Sequence, residues 1–162
     1  MSHSPRARFL PPIRRFTVAI ALVAAAVFLG GCAAPLTMSQ EQERQRLAQL
    51  VYPAEAEYGP DLDIVVRRDG DHLTLINRTA RSYRDVRIWL NQQYVREVPL
   101  IKIGPGNRLG LNRFINQHRE PFPVGTLLAP DAAFPVVLAE LLDLDTGLRH
   151  RLLVWPDETN QR

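Results

Sequence analysis

Past residue 60 the chain carries three histidines, His72, His118 and His150, far apart in sequence and without a His-x-x-x-His pair. His118-Arg119-Glu120 sets two metal-ligand types side by side, and His150 could approach them from the last strand. Scattered histidines on sheet surfaces account for the pattern better than a zinc centre, whose ligands come in short fixed spacings. Acidic pairs recur at Asp61/Asp63, Asp69/Asp71 and Asp143/Asp145. A calcium loop starting at Asp143 would need glycine at its sixth position and glutamate at its twelfth, but Gly147 is fifth and Val154 is twelfth. Tight turns select the same Asp and Gly residues. Glu120 and Glu140 could serve glycan hydrolysis if they met in one cleft about 5 to 10 Å apart. Arg78, Arg81, Arg84 and Arg87 recur every three residues beside Tyr83 and Trp89, a set able to grip anionic groups and stack on sugar rings. Strand side chains alternate with period two, so a period of three fits a solvated turn and strand better than one binding face. Ser39 and Ser82, the serines beyond Cys32, lie in no Gly-x-Ser-x-Gly elbow, and no glycine-rich phosphate loop of standard spacing occurs. The reading is of a chain without catalytic residues, cofactor or metal.

Charge supports a division of the chain. The 162 residues have a formal net charge of +3, but the first 31 hold four arginines and no acid. The other 131 hold 16 Lys plus Arg against 17 Asp plus Glu, a net −1, so the basic pI comes from the leader and nucleic acid is not an expected partner. A single cysteine excludes an internal disulfide and any multi-cysteine metal site.

That cysteine follows a distinctive leader. Arg14-Arg15 precede fourteen uncharged residues, Phe16 to Leu29, and then Gly30-Gly31-Cys32. Basic, apolar and small-residue regions in this order make a secretory signal. Leu29-Gly30-Gly31-Cys32 resembles the lipobox of bacterial lipoproteins. The resemblance implies cleavage between Gly31 and Cys32, a thioether-linked diacylglycerol on Cys32, acylation of the new amino group, and a partner that is the lipid bilayer itself. Ala33 in place of Asp resembles the pattern of lipoproteins sorted to the outer membrane, which implies its periplasmic leaflet. The competing reading is an uncleaved anchor, since Phe16 to Ala34 runs 19 residues without charge or proline.

Ser39, with Gln42 three positions on, can cap a helix that Pro53 ends. Its apolar stripe is Leu47, Leu50 and Val51, which suits a spacer that docks weakly at one end. From Asp61 onward short alternating runs are separated by turn residues: 64–68, 72–77, 86–90, 94–101, a short run around Leu109 and Leu111, 136–142 and 148–155. About seven such strands, with no intervening amphipathic helix, predict an all-β domain, a single antiparallel β-sandwich of immunoglobulin-like type. Arg113 to Gln117 suits one helical turn. The proline-rich stretch 119–135 suits an ordered loop packing over one end through Phe122, Leu127, Leu128 and Phe134. Asn77-Arg78-Thr79, followed by Asp85-Val86, resembles small immunoglobulin-like envelope domains of the FxLYD kind, which implies an accessory domain without catalysis. The chain thus divides into a cleaved leader (1–31), a lipidated N-terminus and helical stem (32–60), the β domain (61–156) and a disordered tail (157–162). Its expected task is non-catalytic binding or structural support in the envelope. The alternatives are a glycan- or lipopolysaccharide-binding or -modifying protein and a subunit of an envelope complex.

Overall fold

The computed structural model describes residues 38–126 and 129–156. Helix α1 (Met38–Ala48) precedes strands β1 (Leu62–Asp69), β2 (His72–Asn77), β3 (Tyr83–Leu90), β4 (Tyr94–Ile101) and β5 (Gly104–Gly110). A 3₁₀ turn (Leu111–Arg113), β6 (Val124–Thr126), β7 (Ala129–Ala133), β8 (Ala139–Asp143) and β9 (Arg149–Val154) follow. Local chemistry explains the hairpins. Gly70 turns β1 into β2 at φ +62°, and Gly147 helps turn β8 into β9 at φ +72°. Asn91 and Gln92, both at positive φ (49° and 61°), open the three-residue connection Asn91–Gln93 between β3 and β4.

Seven strands form one sheet in the order β4-β3-β8-β9-β1-β2-β5, and β6 pairs with β7 separately. The domain is all-β as expected, but its sheet is mixed: β1 runs parallel to β9 while the other pairs are antiparallel. The antiparallel expectation fails there because no hairpin joins these two strands, so no turn dictates their direction. The sheet is also barrel-like. Its edge strands β4 and β5 are consecutive in sequence, linked through Lys102 and Ile103 alone. That link spans at most about 11 Å, whereas seven flat strands would set the edges about 29 Å apart. The sheet must curl. Across the gap, Val95 bridges Ile115, and Arg96 Nη1 donates to Gly110 O at 3.1 Å.

The curled inner face holds the main core, with Ile64, Leu73, Leu75, Ile88, Leu141 and Phe114 all fully buried. In β3 the inward alternation shifts between Tyr83 and Val86, where Asp85 adopts φ +46°. The stretch after the 3₁₀ turn closes one end through Phe122, whose ring meets Tyr94 at 4.9 Å and Phe134 at 5.9 Å. The expected helical turn at 113–117 is instead this 3₁₀ turn at Leu111–Arg113, and the proline-rich loop contains the β6–β7 hairpin. Leu127 and Leu128 lie outside the described residues.

A second core lies on the outer face. Leu47 of α1 packs on Trp89, Val95, Ile115 and Leu142, with Leu50, Tyr52 and Ala56 at its margin. The stem therefore covers half of the sheet exterior. Among the described residues, no helix is long and apolar enough to cross a membrane.

Candidate functional site

The densest polar constellation forms where the stem meets the sheet. β8 puts Glu140 on the outer face, directly between Trp89 of β3 and Arg151 of β9, with Arg149 one pair further along. Glu140 is fully buried, and its two oxygens accept from Tyr52 (2.6 Å) and Tyr58 (2.8 Å), both supplied by the stem. Arg149 is also buried. Its Nη1 donates to the Tyr52 hydroxyl at 2.5 Å, and its Nε lies 3.8 Å from Glu140 Oε1. The guanidinium carbon stands 4.1 Å from the Tyr58 ring centroid and 5.0 Å from that of Tyr52. Tyr52 thus receives a hydrogen bond from a cation and gives one to a carboxylate. Burial, and next the bond to Glu140, push its phenol well above the ordinary tyrosine range.

Backbone bonds hold the same segment. Arg149 N–H donates to Glu57 O and accepts Gly59 N–H at its own carbonyl, both at 2.9 Å. His150 lies beneath, and its Nδ1 carries a proton because its partner at 2.8 Å, Pro60 O, can only accept. A Cβ on Gly59 would fall 2.3 Å from His150 Cε1, so only glycine allows this approach. Chemically the constellation is a lock for the stem. A carboxylate with no solvent access and two tyrosine donors cannot reach a substrate.

The arginine series does not form one face. Arg78 lies 3.5 Å from Asp63, Arg81 lies 3.9 Å from Asp143 and over the Tyr83 ring, and Arg87 bonds Glu97 at 3.2 Å. Arg84 is exposed. Trp89 is 2% exposed beneath the stem, its ring edge-on to Tyr52, and so cannot stack on a sugar. Glu97 is shared with Arg46 of α1 at 2.6 Å, and that bond, followed by Arg87, holds its carboxyl below the usual range.

The other candidates fall in separate places. Glu120 is exposed and accepts from Asn116 Nδ2 at 2.9 Å, whereas Glu140 is fully buried with both oxygens engaged, so the two do not share an open cleft. His72 contacts Asp71, His118 contacts Gln117, and no group of three metal-ligating side chains converges among the described residues. Asp143 Oδ1 accepts Asp145 N–H at 3.0 Å, an Asx turn. Asn77 makes another, its Oδ1 accepting from Thr79 N–H and Oγ1. Gly31 and Cys32 lie outside the described residues, as does the tail 157–162.

Tyr52, Tyr58 and Arg149 were not singled out from sequence. A lone Glu140 in an apolar run, opposite Arg149-His150-Arg151 across an expected hairpin, is the signal that would have pointed to the lock. Comparison with protein-family models, curated proteins and solved structures finds no match.

Proposed function

We propose that this chain is a lipid-anchored protein of the bacterial envelope whose β domain serves a non-catalytic binding or structural task. The observation that carries the reading is the position of the only cysteine, Cys32, directly after Leu29-Gly30-Gly31 and five residues ahead of α1. Diacylglycerol on Cys32 would supply two acyl chains and its amino group a third, enough for the stable attachment that a single chain does not give. Outer-membrane placement, in the periplasmic leaflet, rests on Ala33.

The way the domain uses its polar side chains supports a non-catalytic task. Glu140, Arg149, Tyr52 and Tyr58, the densest polar cluster of the domain, are spent on holding the stem.

Intact mass of the membrane-extracted protein tests the anchor. The wild type should match residues 32–162 plus lipid, and Cys32→Ser should lose the lipid. A wild type that keeps its leader and carries no lipid would make it a signal-anchored protein instead.

A further inference from the structure

We propose that the groove between α1 and the 3₁₀ turn binds the free carboxyl end of a short peptide. This rests on the reading that the domain binds without catalysis, and not on the lipid anchor. Helix spacing builds one wall of the groove. Gln40, Glu43, Arg44 and Leu47 recur at three and four residues along α1 and so share a face, while Asn112 and Arg113 of the 3₁₀ turn line the other side. The groove holds about 200 Å³. Leu47 and Ile115, 2% and 3% exposed, close it inward. A space this small takes the end of a chain, since a whole drug-sized ligand needs about 300–1,000 Å³.

Three guanidinium groups meet one carboxylate here. Arg113 lies 3.5 Å from Glu43, both side chains about half exposed. Arg44 makes no ion pair or hydrogen bond among the described residues. Arg96 of β4 donates to Gly110 O at 3.1 Å, lies 5.9 Å from the Phe114 ring centroid, and has no acid partner among the described residues. Burial, and next the charge of Arg113, pull Arg96 below the ordinary arginine range, with Glu43 opposing them. Of the other acids, Glu97 is held by Arg46 and Arg87, and Glu120 accepts from Asn116. A half-buried cation that feels a second cation and shares a single acid is stabilised by one more anion.

The remaining groups decide which anion. Gln40 and Asn112 carry amides and Glu43 a carboxylate, so the groove offers acceptors as well as donors. Phosphate brings extra negative charge and no N–H, and its oxygens would face those of Glu43. A peptide end brings a planar carboxylate that matches guanidinium donors in pairs, and backbone N–H groups for the acceptors. The incoming carboxylate takes the place of Glu43 on Arg113, and a peptide N–H takes up the released Glu43.

N-acetyl-leucyl-alanine, titrated calorimetrically into the full-length lipidated protein in detergent, tests this. It should bind with a Kd of about 0.1–1 mM, and its carboxamide-capped counterpart about tenfold more weakly. Arg44→Gln and Arg113→Gln should each raise the Kd about tenfold with the thermal midpoint nearly unmoved. Glu43→Gln removes the competitor and keeps an acceptor oxygen, so the Kd should fall about two- to fivefold. Arg84→Gln, at an exposed residue of β3, should change nothing. No binding, equal binding of acid and carboxamide, or a Kd unmoved by both arginine substitutions overturns the site. Inorganic phosphate that displaces the peptide at equal concentration overturns the carboxylate in favour of a general anion site. Cleavage of the peptide during the titration overturns the non-catalytic reading itself.

Discussion

Removing the Glu140 carboxylate is the sharpest test of the lock. Glu140→Ala leaves the Arg149 guanidinium, 5% exposed, without its anion and deprives both Tyr52 and Tyr58 of their acceptor. Breaking one side of a buried pair costs about 3–5 kcal/mol, a large part of the roughly 5–15 kcal/mol that holds a domain of this size. Glu140→Gln keeps the volume and one acceptor and should cost about 1–3 kcal/mol. Tyr58→Phe should cost about 1–3 kcal/mol as well, because it leaves one oxygen of the fully buried Glu140 without its donor. Urea unfolding of the detergent-solubilised protein, followed by circular dichroism and indole emission, measures all three. Trp89 lies under the stem against Tyr52, so stem release shifts its emission to the red before the sheet signal is lost. Trp155→Phe removes the exposed indole that would mask this. If Glu140→Ala unfolds within about 1 kcal/mol of wild type with Trp89 emission unmoved, below any cost a broken buried pair allows, the lock is not what holds the stem.

Three further outcomes follow from other contacts. Gly59→Ala drives a methyl group into the His150 ring and should destabilise by about 1–3 kcal/mol, with Gly59→Ala/His150→Ala recovering part of the loss in thermal melts. Glu97 has its carboxyl held below the ordinary 4.5, so its contribution is full above that pH and is lost as pH falls through the folded value. Glu97→Gln should flatten that part of the acid-stability profile, by less than about 1 kcal/mol for a pair this exposed. Asn91 accepts from Val137 and Leu138 N–H and donates to Pro135 O. Asn91→Gly keeps the positive φ and loses those bonds, so hydrogen exchange at Val137 and Leu138 should rise with β3–β4 pairing intact.

The hairpins were legible because their turns are local: Gly70, Asn91 and Gly147 sit between strands of alternating pattern, and each takes the positive φ that its residue type admits. The parallel β1–β9 pair was not legible. Leu62 meets Leu152 across almost the whole domain, and no short-range signal encodes such a contact. The threefold arginine period does not gather its four side chains, for a physical reason. Arg78 and Arg81 precede β3 and turn to Asp63 and Asp143, so the four do not make one face, although the irregularity at Asp85 leaves Arg84 and Arg87 on the same side of β3. Glu140 was legible as a carboxylate but not as a buried one, since its burial depends on Tyr52 and Tyr58 about 80 to 90 residues earlier.

The stem and β1 are one structural stretch, which gives the boundary at residue 60 a testable consequence. Tyr58 already bridges Arg149 in parallel, Glu57 and Gly59 bond its backbone on either side, and the chain then continues into β1 along the same strand β9. A chain beginning at Asp61 would keep every strand of the sheet yet lose the covering of Trp89, Val95, Ile115 and Leu142. Exposure of a large apolar side chain costs about 1.5–3 kcal/mol, so the four together approach the stability of the domain even before Glu140 and Arg149 are laid bare. Such a chain should fail to give a cooperative thermal transition, whereas one beginning at Ser39, which retains Leu47, Tyr52 and Tyr58, should melt as the full-length protein does. A cooperative transition at an unchanged midpoint for the shorter chain would mean that the outer core and its polar lock are ornaments on a barrel that stands by itself.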